Sequence, residues 1–211
     1  MSLLAALSRR FARLATIVVV RAPWLWRLFR RPLARQFDWL APRWDQIRTP
    51  GHLEPFEVAL ASIQQPPRRA LDLGTGTGAG AQALAKRFPA AEVVGVDLSR
   101  AMVDEARRKL PVELEGRVRF EVGDSAALPF ADAAFELAAL LNMIPFFDEL
   151  ARVIAPGGHA VFSFSNGEAT PIYVPPERVR RELARRGFTE FAEFSAGPGT
   201  ASAARKAGGR R

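Results

Sequence analysis

Apolar residues return with two different periods along this chain. From Leu3 to Val20, Leu4, Leu7, Phe11, Leu14 and Val18 recur every third or fourth position, which places them on one face of a helix. From Ala70 onward the pattern changes to short apolar runs separated by helical segments. Strands are predicted at 70–73, 92–97, 118–122, 135–141 and 159–165, with helices at 79–88, 100–110 and 146–154 between them. Strands that alternate with helices make a parallel sheet covered on both faces. A further helix is predicted over 52–65, entered through Thr49-Pro50-Gly51 and stopped by Pro66-Pro67. Pro175-Pro176-Glu177 opens another, to about Arg186, and 188–196 with 200–207 form a closing antiparallel pair. The segment after Asp124 is too short to be assigned as a helix.

Charge divides the chain where the period changes. The sequence has 30 basic and 22 acidic residues and a formal net charge of +8. Residues 1–37 hold eight arginines and no acid, so the rest of the chain is balanced. A basic arm beside a neutral domain suits a tether to an anionic surface better than a nucleic-acid cleft. The segment Trp24-Leu25-Trp26-Arg27-Leu28-Phe29-Arg30-Arg31 sets aromatics among arginines, the composition of a membrane-interface helix. Packing of the same apolar faces on the domain or on a partner is the competing reading. The uncharged run Leu14 to Val20 is far shorter than the roughly 20 residues of a spanning helix. With no cysteine in the chain, disulfides and thiolate metal sites are excluded. No metal site is expected. The expected location is the cytoplasm, with peripheral contact at the inner membrane face.

Candidate chemistry gathers at the ends of the predicted strands. Asp72 is followed by Gly74-Thr75-Gly76-Thr77-Gly78 and then an Ala-rich helix, a turn that leaves backbone open to a ligand. Asp97 ends the next strand, where a carboxylate can accept from both hydroxyls of a ribose. Asp124 ends the third, placed to accept from an exocyclic amine such as that of adenine. Ser99 reads as a helix cap.

Leu71-Asp72-Leu73-Gly74-Thr75-Gly76-Thr77-Gly78, Val96-Asp97, Gly123-Asp124 with Leu128-Pro129-Phe130, and Glu149 to Gly158 together resemble the class I S-adenosylmethionine-dependent methyltransferases. The likeness is greatest to the small-molecule branch with quinone and sterol C-methyltransferases, and is strong over residues 68–166. It implies a Rossmann-like, seven-stranded, mostly parallel α/β sheet with an antiparallel C-terminal strand, helices on both faces and an N-terminal helical arm. It also implies S-adenosylmethionine as cofactor. Asp72, Gly74, Thr75, Gly76 and Gly78 would hold the methionyl end, Asp97 the ribose, and Asp124 with Ser125 the adenine edge. Leu98 and Met102 would give apolar contact to the adenine, and Asn142 would face the transferred methyl. Phe37-Asp38 and Trp44-Asp45 partly match a Phe-Asp and Tyr-Asp pair of the family, with Trp44 in place of the tyrosine.

The domain boundaries that follow are 1–48 for the arm, 49–207 for the methyltransferase domain and 208–211 for a disordered tail. Asn142, His52 and Tyr173 are the catalytic candidates. Asn142 cannot act as a base, and His159 starts its strand at the opposite end of the sheet. With Tyr173 in a loop too short for a large lid, the arm would partly roof the acceptor pocket. The expected reaction is methyl transfer to a small, lipophilic acceptor, with residues 1–36 against anionic membrane. The alternatives are an RNA methyltransferase using the arm for phosphate contacts, and a non-catalytic cofactor-binding partner subunit. A nicotinamide dehydrogenase would give Gly123-Asp124 no role.

Overall fold

The computed structural model describes residues 3–209. Its centre is a seven-stranded sheet in the order β3-β2-β1-β4-β5-β7-β6. The strands are β1 (Arg69–Leu73), β2 (Glu92–Asp97), β3 (Val118–Val122), β4 (Phe135–Leu141), β5 (Ile154–Phe164), β6 (Phe188–Ala196) and β7 (Gly199–Lys206). Pairing from β3 through β5 is parallel, and β7 runs antiparallel to both its neighbours. The expected architecture is therefore present.

Strand periodicity divides the core into two layers. Ala70, Val93, Phe120, Leu137 and Val161 face one side, where α3 (Glu54–Ala61), α4 (Ala79–Arg87) and α5 (Arg100–Arg108) contribute Phe56, Leu60, Leu84 and Val103. Leu71, Val94, Ala138, Leu140 and Phe162 face the other, against Leu150 of α6 (Phe147–Val153) and Val179 and Leu183 of α7 (Pro176–Ala184). Successive residues point to opposite faces of a strand, so near-continuous apolar runs are what a sheet covered twice requires.

Three boundaries differ from the sequence expectation. The helix placed at 52–65 is confined to Glu54–Ala61, because Thr49 to Leu53 form turns closed by the His52 N–H to Thr49 O and Glu54 N–H to Gly51 O bonds. The fifth strand begins at Ile154 rather than His159, with an irregularity in register between Phe135 and Leu137 of its neighbour. Pro156-Gly157-Gly158 therefore lies within a strand. The second arm segment continues as a helix from Trp26 to Leu40 despite Pro32, followed by a 3-10 stretch from Ala41 to Ile47.

The arm is folded onto the sheet. Helix α1 (Leu3–Arg21) buries the small residues Ala12, Ala15, Thr16 and Val19, not the stripe of Leu7, Phe11, Leu14 and Val18. Leu7 and Leu14 are exposed, and Phe11 and Val18 are half-buried. Small residues let the helix approach the domain closely. Helix α2 (Trp26–Leu40) buries Trp26 and Leu33. Trp26 is only 8% exposed, which corrects its expected place at a membrane interface. The side chain of Leu4 and the end of the expected tail, Arg210 and Arg211, lie outside the described residues.

Candidate active site

The carboxyl ends of β1, β2 and β3 bring Asp72, Asp97 and Asp124 to one edge of the sheet, where open α/β sheets bind ligands. Beyond β1 the chain turns through Gly74, Gly76 and Gly78, and the left-handed Gly78 (φ 89°) caps α4. A Cβ on Gly78 would stand 2.9 Å from the Phe120 ring, so space as well as backbone conformation demands glycine. At the first turn of α4, a Cβ on Gly80 would stand 2.7 Å from Asp72 Oδ1. The absence of side chains there lets the carboxylate lie against the helix start.

Asp72 is buried, with Oδ2 accepting from the Thr75 hydroxyl at 2.7 Å and Oδ1 left without a hydrogen-bond partner. Burial pushes its pKa up to about 7, against the opposing effect of the Thr75 bond. Asp97 Oδ2 accepts from the Gly76 N–H and Oδ1 from the Ser99 N–H, both at 2.9 Å. Burial raises its pKa to about 6 in spite of those amides. A buried carboxylate held through one oxygen by Thr75, beside a bare glycine turn, suits a cationic, hydrogen-bonding ligand. Together the two acids suit a ligand that carries an ammonium group and ribose hydroxyls.

The arm crosses this edge strand by strand. Asp38 accepts from the Ser99 hydroxyl at 2.6 Å at the end of β2, while Ser99 itself caps α5 through the Met102 N–H. Asp45 accepts from the Thr77 hydroxyl at 2.6 Å and pairs with Lys109 at 2.8 Å. The Phe37 and Trp44 rings meet edge to face at 5.6 Å. Thr49 Oγ1 reaches Asn166 Oδ1 beyond β5 at 3.2 Å, and Arg9 donates to the Ala169 carbonyl at 2.8 Å. Trp26 Nε1 donates to Asp124 Oδ1 at 2.7 Å. The two acid-containing pairs of the arm thus dock on the turns after β1 and β2.

The other expected site residues divide by what already holds them. The Thr75 hydroxyl is committed to Asp72, its N–H to the Val96 carbonyl and its carbonyl to the Gly78 N–H, so Thr75 shapes the turn. Leu98 packs on the arm, whereas Met102 is fully buried in the first turn of α5. Ser125 is buried beside Asp124. Asn142 adopts φ 54° and is clamped by Ser165, donating to its hydroxyl at 2.8 Å and accepting from its N–H at 2.9 Å. The Ser165 hydroxyl in turn donates to the His52 carbonyl at 2.9 Å. The His52 ring lies 3.4 Å from Arg48, and burial followed by the Arg48 charge lowers its pKa. Tyr173 is edge-on to Phe164 at 5.1 Å and its pKa is raised, chiefly by burial. His159 pairs in register with Leu137 and Arg205, away from the site as expected.

Sequence reasoning missed Trp26, Arg30 and Arg48 as site residues. Arg48 sits against the glycine turn, with Nη2 3.7 Å from the Cβ position of Gly76, and Asp45 3.5 Å away. An arginine three residues after an acid in an otherwise unremarkable loop gives no signal in sequence.

A doubly wound sheet with a glycine turn and three strand-end acids is the arrangement of the class I S-adenosylmethionine-dependent methyltransferases, which this chain resembles. Residues 70–158 match the family model described as methyltransferase domain. Over 141 residues the chain is 40% identical to a demethylmenaquinone methyltransferase of Thermus thermophilus, covering 59% of this chain and 62% of that protein. A malonyl-[acyl-carrier protein] O-methyltransferase of Halorhodospira halophila is 36% identical over 150 residues, 64% of this chain and 48% of that protein. The chain thus spans about half to three-fifths of the length of these curated relatives. A solved S-adenosylmethionine-dependent methyltransferase from Aquifex aeolicus shares the fold, with TM-score 0.64 and 19% identity over 78% of this chain and 97% of that one.

Proposed function

We propose that this protein transfers a methyl group from S-adenosylmethionine to a small, lipophilic acceptor presented at an anionic membrane surface. The row of Asp72, the glycine turn, Asp97 and Asp124 carries the reading. When bound, the cofactor supplies a methyl group already activated by its sulfonium. Asp72 and the turn would hold its ammonium end and Asp97 its ribose hydroxyls. Arg48, the cation beside the turn, suits its carboxylate. The chain then has mainly to align the acceptor and exclude water, and the arm laid over the strand ends does the second.

The relatives named above act on a quinone precursor and a protein-bound malonyl group, so their names leave a range of acceptor chemistries. In this chain the candidate proton acceptor is His52, whose backbone carbonyl holds the Ser165 hydroxyl of the Asn142–Ser165 clamp and whose ring pKa is lowered by burial and by Arg48. A membrane-side acceptor is supported by the outer face of the arm. Leu7, Leu14 and Ile17 share an exposed stripe of α1 with Arg10 and Arg21. Trp24, Leu28 and Trp39 are exposed around α2, with Arg31 and Arg35 between them. No described helix is long and apolar enough to cross a membrane, so contact would be interfacial.

Titration with S-adenosylhomocysteine tests the cofactor reading. Wild type should bind, and Asp97→Ala should weaken binding by at least about tenfold through loss of the ribose acceptor. Equal binding by the variant would refute the assignment. Incubation of lipid extract with methyl-labelled cofactor should yield one labelled lipophilic product.

A further inference from the structure

Asp124 is half-buried, and both its carboxylate oxygens face groups of the arm. Its Oδ1 accepts from Trp26 Nε1 at 2.7 Å and from the Ala126 N–H at 2.9 Å, and its Oδ2 faces Arg30 at 3.7 Å. Trp26 itself is buried, with its ring 5.1 Å from Phe146 at 63°. It belongs to a compact cluster with Ala15, Val19, Leu33, Ile144 and Phe146. Leu98, Ala126 and Met143, which follow the ends of β2, β3 and β4, pack against that cluster. The arm therefore supplies a flat bicyclic ring with an N–H donor, set between apolar strand-end residues and bonded to the acid at the end of β3. Those are the recognition features of an adenine amine.

Resting on the methyl-donor reading above, we propose that Trp26 is a built-in occupant of the adenine site, and that cofactor binding requires α2 to withdraw it. The indole N–H and the adenine amine compete for the same carboxylate. The two rings also compete for the same apolar contacts beside Leu98. Arg30 adds to the latch, since its charge follows Trp26 by one helical turn and faces the second Asp124 oxygen. The closed arrangement keeps a cluster of apolar strand-end side chains out of water when cofactor is absent. It lowers apparent cofactor affinity by the fraction of chains that are open.

The competition makes a prediction opposite to that of an ordinary lid. If Trp26 walls the bound adenine, shortening it weakens binding; if Trp26 occupies the adenine site, shortening it tightens binding. Titration of the full chain with S-adenosylhomocysteine should show Trp26→Phe, which keeps a ring but lacks the N–H, binding about tenfold more tightly than wild type. Trp26→Leu should behave likewise. The wild type supplies a second readout that needs no variant in order to be interpreted. All four tryptophans lie between residues 24 and 44, so emission reports on the arm. Saturating ligand should increase acrylamide quenching in wild type, and Trp26→Phe should lose most of that increase. Equal or weaker binding by Trp26→Phe, or greater protection of wild-type emission on saturation, would overturn the proposal while leaving the cofactor assignment standing. Failure of all three proteins to bind would overturn the assignment and the proposal together.

Discussion

At the scale of single residues, the site depends on two acids kept ionisable where burial opposes charge. Unfolded, Asp72 titrates near 3.8; folded, near 7. Asp97 moves from 3.8 to about 6. Between those values the folded chain holds the extra protons, so ligand-free stability falls as pH rises from about 4 to about 7. Thermal melts of the free protein should therefore show a higher Tm at about pH 5 than at about pH 8, with Asp72→Asn reducing the difference. A ligand with an ammonium group and ribose hydroxyls needs the ionised acids, so its binding has the opposite dependence. Affinity for S-adenosylhomocysteine should rise from about pH 5.5 to about pH 8 with proton release, measurable by titration in buffers of different ionisation enthalpy. A pH-independent affinity would show that these carboxylates do not receive the ligand.

At the scale of elements, close approach decides more than propensity. The start of α4 is possible because Gly78 can take a left-handed conformation and Gly80 leaves room for the Asp72 carboxylate. Gly78→Ala would bring both strain and contact with Phe120, a combined cost of about 2 kcal/mol in denaturant unfolding. The α5 cap has two functions. Ser99 Oγ accepts from the Met102 N–H and donates to Asp38 of α2. Ser99→Ala should therefore cost about 1 kcal/mol from the cap and loosen the arm as well. Hydrogen exchange should show the second effect as faster exchange in α2 with that of β1 and β4 unchanged. Asp38→Ala should reproduce the change in α2 while the Ser99–Met102 cap bond stays in place, with loss of the Ala101 N–H contact at the start of α5.

At the scale of the whole molecule, the arm has two faces with different surroundings. Its inner face carries Trp26, Asp38 and Asp45 onto the strand ends. Its outer face carries exposed leucines and tryptophans among arginines, with no acid before Asp38. Vesicles containing anionic lipid should sediment with the full chain, neutral vesicles should not, and salt should weaken the contact. Replacing Arg31 and Arg35 with glutamine should weaken it further without changing the melting temperature, since both are exposed and outside the latch. Binding to RNA in place of vesicles, with a steep salt dependence, would instead favour the nucleic-acid alternative.

Much of this was legible in the sequence because it follows from local rules. The alternation of apolar runs and helical segments determined a doubly wound sheet, and the spacing of Asp72, Asp97 and Asp124 determined that three acids would share its carboxyl edge. Those positions follow from one chain direction repeated strand after strand, so order along the sequence becomes order in space. The face of the arm that turns inward was not legible. Helix α1 is apolar on more than one side, and only contact with the sheet selects Ala12, Ala15 and Val19 over Leu7 and Leu14. Trp26 looks, in sequence, like its neighbours Trp24 and Trp39. It is distinguished by the Asp124 carboxylate 98 positions away, and a partner so distant leaves no local trace. The sequence by itself determined that three acids gather at one sheet edge; only the tertiary structure decided that the chain's own indole bonds to the third of them, because burial and a long-range hydrogen bond select one ring from four.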